Sequence, residues 1–341
     1  MEDNTLIIKR NERPLNMWDI AKVTTIFLVV LGHIIANYPS LYGKLGGNTF
    51  WSLLYGYICS FHMPFFMAIS GGVFCIAKTK NGYNNAFCFA KNKAKRLLVP
   101  YWSVSVILFI TLWVTEKSEG NLIWYWFKNV FLFDQVKHLW FLGALFFIFI
   151  IFNYLEKYVH KTIWLPIGLM VLYFSHVYMP WIFQISSICK YLVFFYLGYF
   201  FQLKSNLLLP FIERKSFFYV FFLLHICLYI ASLKATFSSH LYILISYICS
   251  VLGCCFAISY NSLLLKLLNN GIERFVRYAV KNSFSVYLFH DIIIYLLFYY
   301  ISFVLVSPAG LGVVVLLCSV TGSILFAVFL RKVRLKWIIG E

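Results

Sequence analysis

The sequence predicts an all-α, polytopic membrane bundle of about ten spanning helices, and three observations predict it. Hydrophobic residues make up 62% of the 341 and charged residues only 12%, a balance that no water-soluble domain of this length could bury. The apolar residues fall in successive runs near the ~20 residues needed to cross a bilayer core, with short polar breaks between them. The Lys and Arg residues gather in alternate breaks, as a fixed orientation in a membrane requires.

The elements follow in order. Residues 1–16 carry charges of both signs and no small-residue cleavage site, so they read as a cytoplasmic N-terminal tail and not as a removed signal peptide. The membrane domain is read as 17–330, with spans at about 17–37, 50–76, 98–115, 138–155, 163–180, 188–203, 216–234, 239–260, 282–305 and 309–330. The second span contains Pro64 and the Gly71-Gly72 pair, which are expected to break or loosen it. The run from Trp124 to Phe133 is short for a span and reads as interfacial or re-entrant. Residues 331–341 form a basic cytoplasmic C-terminal tail.

The charges of the breaks agree with this count. One set holds Lys9, Arg10 and Arg13, the basic loop from Lys78 to Arg96, Lys157 and Lys161, then Lys204, Arg214 and Lys215, Lys266 to Lys281, and Arg331 to Lys336. The opposite set holds only Lys44, Lys117, Lys128, Lys137 and Lys234 of the 29 Lys and Arg, and Lys22 and Lys190 lie within or at the ends of spans. The basic set is therefore expected to face the cytoplasm and the stretch Leu41–Asn48 to face outward, with the chain in the cell (inner) membrane. The excess of basic over acidic residues needs no nucleic-acid partner, because orientation and anionic membrane lipid account for it.

Other classes lack support. The nine cysteines are odd in number and form no CxxC pair, so they read as small buried hydrophobes, neither disulfides nor metal ligands. Walker A, GxGxxG, GxSxG and HExxH patterns are absent.

Ionisable residues inside spans are costly and are therefore candidates for chemistry. In the first span Lys22 and His33 are eleven residues apart, three turns and a near-return to one face, with a rise of about 16 Å. Asp19 and Lys22, at i and i+3, can pair near the cytoplasmic surface. The alternative is that Asp19 and Lys22 anchor the helix end and His33 is an interior hydrogen-bonding residue. His62 in the second span also falls near mid-membrane, and His290 with Asp291 lies about ten residues into the ninth span, whose start at Lys281-Asn-Ser283-Phe-Ser285 is polar. These histidines read either as catalytic groups or as interhelical glue. Arg96, ending the most basic loop, reads as an orientation signal or as a contact for a phosphate-bearing ligand. His225 and His176 have no aligned acidic partner and read as structural.

Several segments together resemble the acyltransferase-3 family of bacterial integral membrane O-acyltransferases. The family's opening helix carries Arg or Lys, ten intervening residues and His, to which Lys22 and His33 are similar. Phe61-His-Met-Pro-Phe-Phe-Met-Ala-Ile-Ser-Gly71 is similar to its second helix, and Arg96-Leu-Leu-Val-Pro100-Tyr101 to the entry of its third. His138-Leu-Trp140-Phe-Leu142, Phe194-Phe-Tyr-Leu-Gly198-Tyr-Phe and Ser283-Phe-Ser-Val-Tyr287-Leu-Phe-His290 resemble later family segments. The resemblance spans about residues 15 to 295. Lys at position 22 keeps the charge of the commoner Arg without its bidentate fork.

The resemblance implies an enzyme that moves an acyl group, usually acetyl from cytoplasmic acetyl-CoA, to a hydroxyl of a surface polysaccharide or a lipid-linked saccharide precursor. Acetyl-CoA would be a substrate, with no bound cofactor or metal. It implies His33 and His62 as catalytic candidates, Lys22 and Arg96 as donor-binding residues, and Asp19, Ser283, Tyr287 and His290 in support. The competing expectation is a transporter or flippase of a polysaccharide intermediate, against which the two halves show no matching pair of interrupted helices.

Overall fold

The computed structural model describes residues 13–42, 49–81, 85–116, 122–134, 137–159, 161–234, 239–300 and 308–341. Among the described residues the chain is 90% helical, without a strand. The helices are α1 (Met17–Tyr42), α2 (Thr49–Cys59), α3 (His62–Asn81), α4 (Ala86–Glu116), α5 (Leu122–Phe131), α6 (Trp140–Leu155), α7 (Trp164–Ser175), α8 (Ile185–Leu203), α9 (Ser205–Ile212), α10 (Lys215–Lys234), α11 (Ser239–Lys266), α12 (Asn270–Tyr300) and α13 (Pro308–Lys332).

Among the described residues nine spans are long and apolar enough to cross a bilayer, α2 and α3 together making one of them. The tenth expected span, 163–180, is the shorter Trp164–Tyr178 segment, because Pro180 and the left-handed backbone at Phe183 and Gln184 separate α7 from α8. The expected outward stretch Leu41–Asn48 lies almost wholly outside the described residues, as do Lys9, Arg10, Lys44, Lys117 and the end of the ninth span beyond Tyr300.

Local chemistry sets the helix starts. Asn16 and Asp19 form a reciprocal capping box, Asp19 N donating to Asn16 Oδ1 at 3.1 Å and Asn16 N to Asp19 Oδ2 at 3.2 Å. Asn85 caps α4 through its side-chain oxygen, which accepts from Phe87 N at 2.9 Å and Cys88 N at 3.1 Å. Helix α4 therefore begins well before the expected third span, and Arg96 rides on a helix and not in a loop.

The second span is broken, as Pro64 suggested, but at Ser60–Phe61. Ser250 Oγ donates to Ser60 O at 2.8 Å, which satisfies backbone that the break releases. Ser60 Oγ also lies 3.0 Å from His225 Nε2, while Tyr57 Oη lies 3.2 Å from Nδ1. His225 thus holds the break together. The glycines do not loosen the helix. A Cβ at Gly71 would lie 2.0 Å from Phe195 O, one at Gly198 1.8 Å from Ala68 O, and one at Gly72 2.3 Å from the Trp18 indole. Gly71 and Gly198 let α3 and α8 meet backbone to backbone, as small residues do in membrane bundles, and Gly72 makes room for the Trp18 ring of α1.

Cys75, Cys189, Cys249 and Cys254 are buried as expected, whereas Cys59, Cys88, Cys227 and Cys318 are exposed; all nine are free thiols. A thiol is apolar enough to sit on a lipid-facing surface or a cavity wall. Residues 331–341, the expected basic tail, fold back on the bundle. Leu335 N bonds Leu330 O at 2.8 Å, a short helical turn runs Lys336–Ile339, and Ile339 is 2% exposed.

Candidate active site

Asp291 is buried at the centre of the bundle. It faces three donors: His33 Nδ1 at 3.1 Å from Oδ1, Asn37 Nδ2 at 3.2 Å from Oδ1, and His138 Nδ1 at 3.1 Å from Oδ2. A carboxylate so deep in a span requires this degree of hydrogen bonding. The donors come from different elements. His33 and Asn37 are one turn apart on α1. His138 lies in the single turn Lys137–Leu139 ahead of α6, where Lys137 takes φ +37°.

His138 is further fixed by Nε2 against Leu288 O at 3.1 Å, and its own carbonyl accepts the Tyr287 hydroxyl. Both ring nitrogens of His138 thus face oxygen atoms, Asp291 Oδ2 on one side and Leu288 O on the other. His33 turns Nδ1 to the Asp291 carboxylate, which leaves Nε2 free of that contact on a side chain 30% exposed. The His290 ring centroid lies 5.0 Å from that of His33 and 5.2 Å from that of His138. His290 Nδ1 donates to Val286 O and Tyr287 O, while its buried Nε2 has no partner among the described residues.

Two cavities approach this cluster from opposite ends of α1. At the end where Arg13 and Glu341 lie, a cavity of about 470 Å³ is lined by Arg13, Lys22, Lys93, Arg96 and Lys281, by Ser283 and Tyr287, and by aromatic side chains including Phe66, Phe141 and Phe149. Asp19 contacts two of the lining residues: both terminal Arg13 nitrogens, Nη1 and Nη2, bond it at 2.8 Å, and Lys22 Nζ lies 3.7 Å away. The carboxylate holds the Arg13 guanidinium above its ordinary range. From the other end a cavity of about 230 Å³ is lined by Gly32, His33, His62, Lys137, His138 and Tyr287. Tyr287 is the one residue common to the two linings.

Helical spacing explains the arrangement. Lys22, Ile26, Val29 and His33 form one stripe of α1, and Ser283, Tyr287 and Asp291 form one stripe of α12 at steps of four. The two stripes face each other. A larger cavity of about 650 Å³ lies beside α10 and α11, lined mainly by side chains such as Phe218, Phe222, Phe256 and Val320. Its walls offer little for acid–base work.

The sequence-derived candidates divide accordingly. Lys22, Arg96 and Ser283 line the cationic cavity, His33 and His62 share the smaller one, Tyr287 stands between, and Asp19 and His290 are packed behind. His62 is held by Nδ1 to Ile58 O at 2.8 Å and, unlike His33, has no carboxylate partner among the described residues. The residues missing from that set are His138, Asp291, Asn37 and Lys93. Asp291 stands out in the sequence beside His290, as the one carboxylate deep inside an expected span, but the sequence alone gives it no role.

A histidine held by a buried carboxylate, with a cationic cavity on the other side of Tyr287, is an arrangement suited to acyl transfer. Comparison with known proteins agrees. The acyltransferase-3 family model, described as an acyltransferase domain, matches residues 16–329. Neither curated proteins nor solved structures gave a match. That match runs over nearly the whole chain and over every helix that builds the site, so the chain belongs to the acyltransferase-3 family and is a multi-pass membrane acyltransferase.

Proposed function

We propose that the chain transfers acetyl from acetyl-CoA to a hydroxyl of a cell-surface polysaccharide or of a lipid-linked saccharide precursor, with both termini at the cytoplasmic face of the cell membrane. The observation that carries this reading is the pair of cavities meeting at Tyr287, one cationic and the other walled by the Asp291-held His33.

In this reading the phosphates of the donor sit among Lys22, Lys93 and Arg96, and the pantetheine arm runs along the aromatic wall toward Tyr287. The acceptor hydroxyl enters from the His33 side. His33 Nε2 takes the hydroxyl proton as the oxygen attacks the thioester carbonyl carbon. The tetrahedral intermediate then collapses, the C–S bond breaks, and the CoA thiolate leaves and takes up the proton. Asp291 keeps the His33 tautomer and stabilises the imidazolium while it exists. His138 and Tyr287 hold this frame, and His62 is the second candidate for proton transfer.

Sealed inside-out membrane vesicles given radiolabelled acetyl-CoA test the chemistry and the orientation together. Label should reach glycan without detergent, and only when this protein is present. Labelling only after the vesicles are opened overturns the orientation. Unlabelled glycan with normal export of the precursor overturns the chemistry.

A further inference from the structure

The turn Lys336–Glu341 forms part of the cationic cavity, and its contacts there are specific. Pro100 lacks the N–H that would bond the carbonyl of Arg96, one helical turn earlier. That carbonyl faces Gly340, where a Cβ would lie 2.6 Å from Arg96 O and 3.1 Å from Pro100 Cγ, and where φ is +71°. Both the space and the backbone angle therefore call for glycine. The next residue, Glu341, supplies the one acidic side chain among the lining residues. Arg331 grips it at 2.6 and 2.9 Å, and Arg331 Nη1 reaches Asn282 Oδ1 on α12 at 2.9 Å. Arg331, then Lys281 and Lys336, hold the Glu341 carboxyl below its usual range, so it stays ionised at neutral pH.

We propose that this turn sets the affinity of the cavity for its anionic donor in two opposed ways: Gly340 seats the Arg96 segment of α4 for phosphate binding, and Glu341 weakens that binding by occupying part of the positive field. The proposal rests on the reading of this cavity as the donor site. A polyphosphate entering the cavity meets Lys22, Lys93 and Arg96, but it is also repelled by Glu341, which keeps Arg331 occupied. Tempered affinity suits a site that must release CoA after each turnover.

The two positions give opposite signs. Binding of CoA itself to the purified full-length protein in lipid nanodiscs, measured by titration calorimetry, reads them directly. Gly340→Ala should raise Kd by roughly tenfold, because Arg96 loses its seat. Glu341→Gln should lower Kd by about three- to tenfold and steepen its dependence on salt, as removal of a like charge near a phosphate does. A turn that served only as a structural clamp would leave Kd unmoved or weaken it in both variants, and either result overturns the proposal. Should Gly340→Ala fail to accumulate, Glu341→Gln decides alone, since the isosteric amide keeps the turn: tighter binding supports the proposal, and equal or weaker binding overturns it. A wild-type protein that does not bind CoA overturns the donor reading of the cavity, and the role of the turn with it.

Discussion

Asp291 draws together residues from α1, α12 and the turn before α6, and the consequences of changing it differ from those of changing His33. His33→Ala removes the proposed base while leaving His138 and Asn37 on the carboxylate, so transfer should fall by about 10² to 10⁴ while the protein still accumulates in the membrane. Asp291→Asn keeps the shape but loses the charge that selects the His33 tautomer, and should cost up to about 10⁴ in rate. His62→Ala is the discriminating comparison: at matched membrane levels it should retain more transfer than either, and a result in which His33→Ala keeps ordinary glycan acetylation removes the base from the mechanism. Arg96 belongs to binding, so Arg96→Ala should raise the KM for acetyl-CoA more than it lowers kcat. A normal KM with a collapsed kcat refutes that role. The sequence made Lys22 and His33 visible because ionisable groups in an apolar span are conspicuous, and Arg96 because it ends the most basic loop. It left His138 unassigned, because that residue sits at the edge of a span and acquires its role only through a contact with Asp291, 153 positions away in the chain.

Among the elements, the α3–α8 pair is the most closely joined. Gly71 and Gly198 each bring one backbone against a carbonyl of the other helix, and α3 also carries His62 while α8 follows the loop that packs beside α6. Gly198→Ala places a methyl where Ala68 O stands, so the helices must part; the expected cost is about 1–3 kcal/mol or more, seen as a lower thermal midpoint of the detergent-solubilised protein. An unchanged midpoint would mean that the contact is looser than it looks. Pattern alone located most spans, since an apolar run of the right length has few other uses. It placed the boundaries less well. The start of α4 is set by the Asn85 cap and not by hydropathy, and so the basic residues from Lys91 to Arg96 lie on a helix wall and not on a loop. The glycine pair was misread for a related reason: glycine loosens an isolated helix, whereas here the Phe195 backbone fills the space at Gly71 and the Trp18 indole that at Gly72.

At the scale of the whole molecule, the cavities are what the sequence hid, because each is built from helices far apart in the chain. Their relation has a further consequence. A bundle entered by two cavities that share Tyr287 as a wall depends on the groups around that ring to keep them apart. If both hollows fill with water, most of the transmembrane voltage falls across the thin partition at Tyr287, where one elementary charge moved through the full field is worth about 2.3 kcal/mol per 100 mV. The partition should then be what keeps the membrane electrically tight. Tyr287→Gly is expected to speed the decay of a proton gradient in reconstituted vesicles, whereas Tyr287→Phe, which keeps the ring, should hold the gradient as the native protein does. Equal tightness in all three would show that the hollows are divided by more than this ring, and that the insulating layer of the protein lies elsewhere.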